Sequence, residues 1–172
     1  MSAAAALQRL VDRADVVDTI VGAANAFDAK DWARLRACLA AELDVDYSDF
    51  RGEPPRRISA DEYVAARQRT LAGLRTLHIS TNHAVEVEGD RARCVSAYRI
   101  YRVDPAGAEG QNRLDTAGAY EHGLVRTPAG WRICRIKQTV VVNTGNARIH
   151  GAFRAPAAPD PAPRPGPTLE AP

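Results

Sequence analysis

A chain of 172 residues is long enough for one domain with a sizeable core, and 45% hydrophobic against 26% charged residues is the balance of a folded globular protein. A formal net charge of +2, carried by dispersed arginines, excludes the one-sided field of a nucleic-acid or membrane-surface binder. Cys38, Cys94 and Cys134 form an odd set with no C-x-x-C spacing and sit in apolar or alternating segments, so they read as buried free thiols of a cytoplasmic protein.

In chain order, residues 1–6 read as disordered, and the Ala3-Ala4-Ala5-Ala6 run is too short and weakly apolar for a signal segment. Over residues 7–27, Leu10, Val11, Val17, Ile20, Val21, Ala24 and Phe27 recur at spacings of three and four, which predicts one amphipathic helix with room for a break near Arg13-Ala14. Asp28 falls one turn beyond Ala24 on the same face and should point where the core side chains point. A carboxylate aimed into an apolar interior needs a partner. Asp31 is a good N-cap for a second helix starting at Trp32, whose Leu35 and Leu39 share its face. Val45, Tyr47 and Asp49 then alternate with Asp44, Asp46 and Ser48 at strand period.

Gly52-Glu53-Pro54-Pro55 predicts a loop, and Ser59 with Glu62 a capping box opening a third helix that runs to about Gly73. The remainder alternates at period two. Strands are expected over 78–87, 91–103, 114–126 and 131–142, joined by turns at Glu88-Gly89-Asp90 and Thr127-Pro128-Ala129-Gly130 and by a looser loop over 104–112. Ala92, Cys94, Ser96, Tyr98 and Ile100 share one strand face. Helices followed by a hairpin meander define an α+β fold, a curled antiparallel sheet wrapping helices on one side. From Phe153 the chain is dominated by proline and alanine, so the expected division is a domain over 1–152 and a disordered tail over 153–172.

One stretch carries a family likeness. Asp28-x-Lys30-Asp31-Trp32-x-Arg34-Leu35-Arg36-x-Cys38-Leu39-Ala40, followed by Leu43-x-Val45-Asp46-Tyr47-x-x-Phe50, resembles the scytalone dehydratase branch of the SnoaL-like, NTF2-like superfamily. The resemblance covers roughly residues 15–142, strongly as far as His78. It implies an NTF2-like cone with an apolar pocket at its open end, no metal and no organic cofactor. It also implies a His–Asp pair with tyrosines that remove water from a small polycyclic phenolic substrate. Asp28 matches the family's helix-end carboxylate. His78, in Leu74-Arg75-Thr76-Leu77-His78, matches the histidine that opens the long strand, and Tyr47 matches the tyrosine of the strand after the second helix. There are departures. Phe27 stands where the family has a tyrosine, no histidine stands near Tyr101 to take the place of its second one, and its strand serine and asparagine fall at Gly118 and Tyr120.

From the residues themselves, an imidazole held by a carboxylate has a fixed tautomer and serves as acid or base near neutral pH, the carboxylate raising its basicity. With the matches that the resemblance implies, Asp28, His78 and Tyr47 are the expected catalytic group, with Tyr47 donating to a carbonyl oxygen directly or through a water. Phe27, Phe50, Asn82, Tyr98, Tyr120 and His122 are the expected substrate-binding residues. Asn82 has the strand parity of His78. Tyr98 and Tyr120 read equally well as core packing, and His122 is a substitute for the missing histidine or a core residue. His83 has the opposite parity, favouring surface or an oligomer interface unless a bulge intervenes. No metal set, P-loop or dinucleotide fingerprint stands out. The expected function is a cofactor-independent dehydratase-like lyase acting on a hydroxylated, carbonyl-bearing cyclic metabolite. A cyclase or isomerase using the same base, or a non-catalytic small-molecule-binding module, are the alternatives. The expected partners are a small-molecule substrate and further copies of the chain, as trimer or dimer, with neither nucleic acid nor membrane.

Overall fold

The computed structural model describes residues 2–150, so the expected tail over 153–172 lies outside the described residues. Helix α1 (Ala3–Ala29) starts earlier than expected, because Ser2 caps it, its hydroxyl accepting from the Ala5 N–H at 3.2 Å, and an alanine run of high helix propensity follows. It passes through Arg13-Ala14 unbroken. Two bonds to the sheet hold it there: Arg13 donates to the Val85 carbonyl at 2.7 Å, and Arg126 makes a two-pronged ion pair with Asp12 at 2.8 Å. The buried stripe is Val16, Ile20, Ala23 and Ala26, while Leu10 and Val11 face outward.

Lys30 ends α1 in the left-handed region at φ 57°, and Asp31 caps α2 (Trp32–Ala37) by accepting from the Arg34 N–H at 2.9 Å. Leu39 leaves this helix and opens β1 (Leu39–Asp46), where it pairs with Ile133. The expected alternation through Asp49 stops at Asp46: Tyr47 immediately precedes the short α3 (Ser48–Arg51) without a side-chain cap bond, and Asp49 accepts from the Val140 N–H. A strand that the sequence did not suggest, β2 (Arg56–Ser59), precedes α4 (Ala60–Leu71), whose capping box between Ser59 and Glu62 is present.

Four long strands follow: β3 (Arg75–Glu88), β4 (Arg91–Val103), β5 (Arg113–Thr127) and β6 (Gly130–Gly145), with a final 3-10 turn over Ala147–His150. They form one sheet in the order β2-β1-β6-β5-β4-β3, antiparallel except for the β1–β6 pair. Ala92, Cys94, Ser96, Tyr98 and Ile100 all turn inward from β4, as the period-two reading requires. With Val16, Ile20, Leu35, Leu43, Tyr63, Trp131 and Ile133 they close the core between sheet and helices. Of the three cysteines, Cys94 alone is fully buried. Cys38 and Cys134 are half-buried, and all are free thiols. Among the described residues no helix is long and apolar enough to cross a membrane.

Candidate active site

Asp28 and His78 meet because α1 ends beside the open edge of the sheet. Strand β3 pairs only with β4, so alternate backbone N–H groups of β3 face outward without a strand partner. The His78 N–H is one of them, and it donates to Asp28 Oδ2 at 2.7 Å. The His78 ring nitrogen Nδ1 lies 2.6 Å from Asp28 Oδ1, which also accepts from the Thr76 hydroxyl at 2.9 Å. Lys30 donates in turn to Thr76 Oγ1 at 2.9 Å and to the Phe27 carbonyl at 3.2 Å. The carboxylate that the sequence aimed into the interior thus accepts three hydrogen bonds. Thr76 and Lys30 were not singled out from the sequence. The signal for Thr76 is its parity with His78, two residues along β3.

Burial pushes the Asp28 carboxyl up, but the bonds from His78 and Thr76 and the nearby imidazole outweigh it, leaving the group below its ordinary value. Burial also dominates at His78 and pushes the ring below its ordinary value, despite the opposing pull of Asp28. That corrects the expectation of raised basicity: the pair rests as a neutral imidazole on an ionised carboxylate. Nδ1 then carries the proton toward Asp28, and Nε2, which bonds to nothing among the described residues, keeps its lone pair.

His78 lines two adjacent chambers. Phe27, Tyr47, Tyr63, His78, Ile100 and Tyr120 border both. The first chamber encloses about 540 Å³ of empty space, its mouth included, and is walled mainly by Ile20, Ala23, Leu35, Ile79, Ile133 and Ile136 with Tyr98, Ser80 and His122. The second, about 350 Å³, is bordered by Phe50, Arg67, Leu71, Arg102, Gln138 and His150. Phe27 stacks on the His78 ring. Tyr98, Tyr120 and His122 form a continuous tilted stack, with centroids 4.5 and 5.2 Å apart. His122 is buried and pushed down to about 4 by burial, with His83 adding to the effect, so it faces the chamber as a neutral ring.

Asn82 does not join them. A register shift between Thr81 and Ala84 places Asn82 at a bulge with φ 56°, exposed, its side chain accepting from the Thr81 hydroxyl at 2.8 Å. The extra residue reverses the parity on which its inward placement rested. The same bulge turns His83 inward, where its Nε2 lies 2.9 Å from the Ser80 hydroxyl.

Tyr47 shares a 2.8 Å hydrogen bond between its hydroxyl and that of Tyr63 on α4, a residue that no local pattern in the sequence singles out. In such a pair one hydroxyl donates and the other keeps its own proton to give away. The Arg67 guanidinium lies over both rings, 5.0 and 4.9 Å from their centroids. Arg51, Arg67 and Arg102 were also missed. They stand on two helices and a strand, and no local spacing links them. Among the described residues no group of three or more His, Cys, Asp or Glu converges as a metal site.

A six-stranded cone closed by α1 around a pocket that holds a paired histidine and carboxylate is an NTF2-like architecture. Within it, residues 8–137 match the SnoaL-like domain, and the chain belongs to that family. The chain is similar to the scytalone dehydratase-like protein claB of Passalora fulva, 46% identical over 41 residues, which is 24% of this chain and 25% of that protein. It is likewise similar to the scytalone dehydratase of Colletotrichum orbiculare, 43% identical over 42 residues, 24% of this chain and 22% of that one. The matched stretch therefore spans about a quarter of the length of these curated relatives. In three dimensions it superposes on the Kfla4162 protein of Kribbella flavida with a TM-score of 0.79 at 28% identity, covering 84% of this chain and 99% of that one.

Proposed function

We propose that this protein is a cofactor-independent lyase of the dehydratase kind, acting on a hydroxylated, carbonyl-bearing cyclic metabolite. The observation that carries the reading is the 2.6 Å contact between Asp28 and His78 Nδ1, made by a ring that borders a cavity. His78 Nε2 takes a proton from the carbon beside the carbonyl, and the C–H electrons move into an enolate. Tyr47, its own proton freed when Tyr63 donates to it, hydrogen-bonds the enolate oxygen. The enolate then expels the β-hydroxyl, which leaves as water with the proton now on His78, and the ring returns to its neutral state. Asp28 acts through His78: it fixes the tautomer and stabilises the transient imidazolium. The partial likeness to scytalone dehydratases supports the same class of reaction.

A suitable probe is 3-hydroxy-1-tetralone, which becomes 1-naphthol on losing water. The expected result is enzyme-dependent formation of 1-naphthol, reduced about 10²–10⁴-fold by Asp28→Asn and by His78→Ala. The acid limb of the wild-type pH–rate profile should lie below the ordinary histidine value. Equal rates for wild type and Asp28→Asn would remove the pair from the mechanism.

A further inference from the structure

Arg67 and Arg102 border the second chamber, Arg51 stands beside them over the Tyr47 and Phe50 rings, and none of the three makes an ion pair among the described residues. Arg67 and Arg102 are buried, at 7% and 3% exposure, and Arg51 is half-buried. Among the described residues Arg102 donates one bond, to the Thr116 hydroxyl at 3.0 Å, and its Nε has no partner. The Nε of Arg67 and the Nε and Nη2 of Arg51 are likewise buried without a partner among the described residues. Burial and then Arg67 lower Arg51, and burial above all, with Arg51 and Arg67 adding to it, brings Arg102 down to about 10, whereas burial at Arg67 is outweighed by Tyr47, Tyr63 and Tyr120, which hold it above its ordinary value. All three therefore stay charged at neutral pH. The acid whose field reaches Arg51 and Arg67 is Glu53, which is exposed and bonded to neither.

Aromatic faces account for part of this. Arg67 lies over Tyr47 and Tyr63, Arg51 over Tyr47 at 5.4 Å, and Arg102 over Phe50 at 5.5 Å. A ring face satisfies the charge above and below a guanidinium plane. It does nothing for the N–H groups within that plane, which need oxygen acceptors. Buried donors left without acceptors, beside a chamber that His78 also borders, call for a ligand that brings oxygens and negative charge.

We infer that the second chamber is an anion seat, in which Arg67 and Arg102 hold the carboxylate of a small aromatic acid while its ring reaches past His78 into the apolar first chamber. This deepens the proposed lyase reading by giving its substrate an acidic group. A carboxylate fixed there would limit which carbon comes before Nε2.

Binding tests it without turnover. Benzoate and its neutral counterpart benzamide are titrated calorimetrically into the full chain, with inorganic phosphate at matched ionic strength as a third probe. Benzoate should bind at least about tenfold more tightly than benzamide, because a site built to pair an oxyanion rejects the neutral isostere. Arg102→Gln should lose about tenfold or more of the benzoate affinity while benzamide changes little. Arg67→Met should do the same, and a thermal midpoint for each variant shows that it has folded. Absence of benzoate binding, equal affinity for benzoate and benzamide, phosphate binding as tightly as benzoate, or folded variants that keep the wild-type preference would each overturn the inference. Since the readout is affinity, benzoate preference can hold where the Asp28→Asn rate test fails, and the reverse.

Discussion

Phe27 lies nearly face to face with His78, ring centroids 5.2 Å apart and planes 23° from parallel. On the resemblance this phenylalanine stands where the dehydratases carry a tyrosine, and a ring stacked there is expected to restrain the imidazole from rotating about the axis that Asp28 leaves open. An aromatic pair of this kind is worth about 1 kcal/mol beyond its burial. Phe27→Leu should therefore cost about 1–2 kcal/mol in chemical denaturation and slow turnover severalfold. Asp28→Asn should show the opposite balance. A Leu variant with an unchanged rate would mean that Asp28 alone fixes the ring.

Asp28→Asn should leave stability almost untouched and remove activity. The Asn oxygen can still accept from the His78 N–H, which puts its NH₂ opposite His78 Nδ1. To accept that bond the ring must move its proton to Nε2, the atom the mechanism needs bare. The expected signature is a change of histidine tautomer in ¹⁵N NMR together with a loss of about 10²–10⁴-fold in turnover. His78→Ala should cost less than the roughly 3–5 kcal/mol of a stranded buried charge. Asp28 keeps the Thr76 hydroxyl and the backbone N–H of residue 78, so about 1–3 kcal/mol is expected by denaturant titration.

Much of this arrangement was legible in the sequence because it is set locally. The caps at Asp31 and Ser59, the alternation through Ala92 and Ile100, and the helix-end position of Asp28 depend only on neighbours in the chain. What escaped depends on distant partners. Asn82 was placed by counting parity across a bulge that nothing in its own strand announces. The Tyr47–Tyr63 bond joins a strand end to a helix sixteen residues later, and the Arg51, Arg67 and Arg102 convergence exists only once α3, α4 and β4 are packed. The early start of α1 was missed for another reason: four alanines carry no amphipathic period, although they favour helix strongly.

Acid should destabilise the fold before any carboxylate titrates. Burial holds His78 below its ordinary value of 6.5 and His122 down at about 4. Between the unfolded value and the lower folded one, the unfolded chain binds protons that the folded chain refuses. Stability is then full above about pH 6.5 and falls as the pH drops toward the folded values. His122 alone accounts for roughly 2–3 kcal/mol by pH 4.5. His78 adds to this with the same sign, and Asp28, lowered in the fold, gives up its own contribution only at more acidic pH still. Urea titrations at pH 7.5, 6.0 and 4.5 measure it. His122→Gln should reduce the dependence by that share, His78, His83 and His150 keeping theirs, and a curve level from 7.5 to 4.5 would show that His122 takes up a proton without cost in the folded chain.

Gly118 bars the way back to the resembling family's constellation. On the resemblance it stands at the place of a strand serine, and it lies where β5 and β6 shift register and Val141 bulges outward, 79% exposed. A Cβ at Gly118 would lie 2.0 Å from the Thr139 carbonyl oxygen and 3.0 Å from its carbon. Both are backbone atoms of the neighbouring strand, so no side-chain rotation relieves the overlap, and β6 itself must move. Gly118→Ser should accordingly cost about 3 kcal/mol or more, in the range reached by overpacked cores and broken ladders. Gly118→Ala should cost nearly as much, because the clash begins at Cβ and the hydroxyl adds little. Matched denaturant titrations of the two variants decide the cause. Comparable large losses mean that close backbone approach keeps glycine here. A tolerated alanine beside a destabilising serine would instead locate the penalty in the hydroxyl, and the bulge would then be soft enough to give.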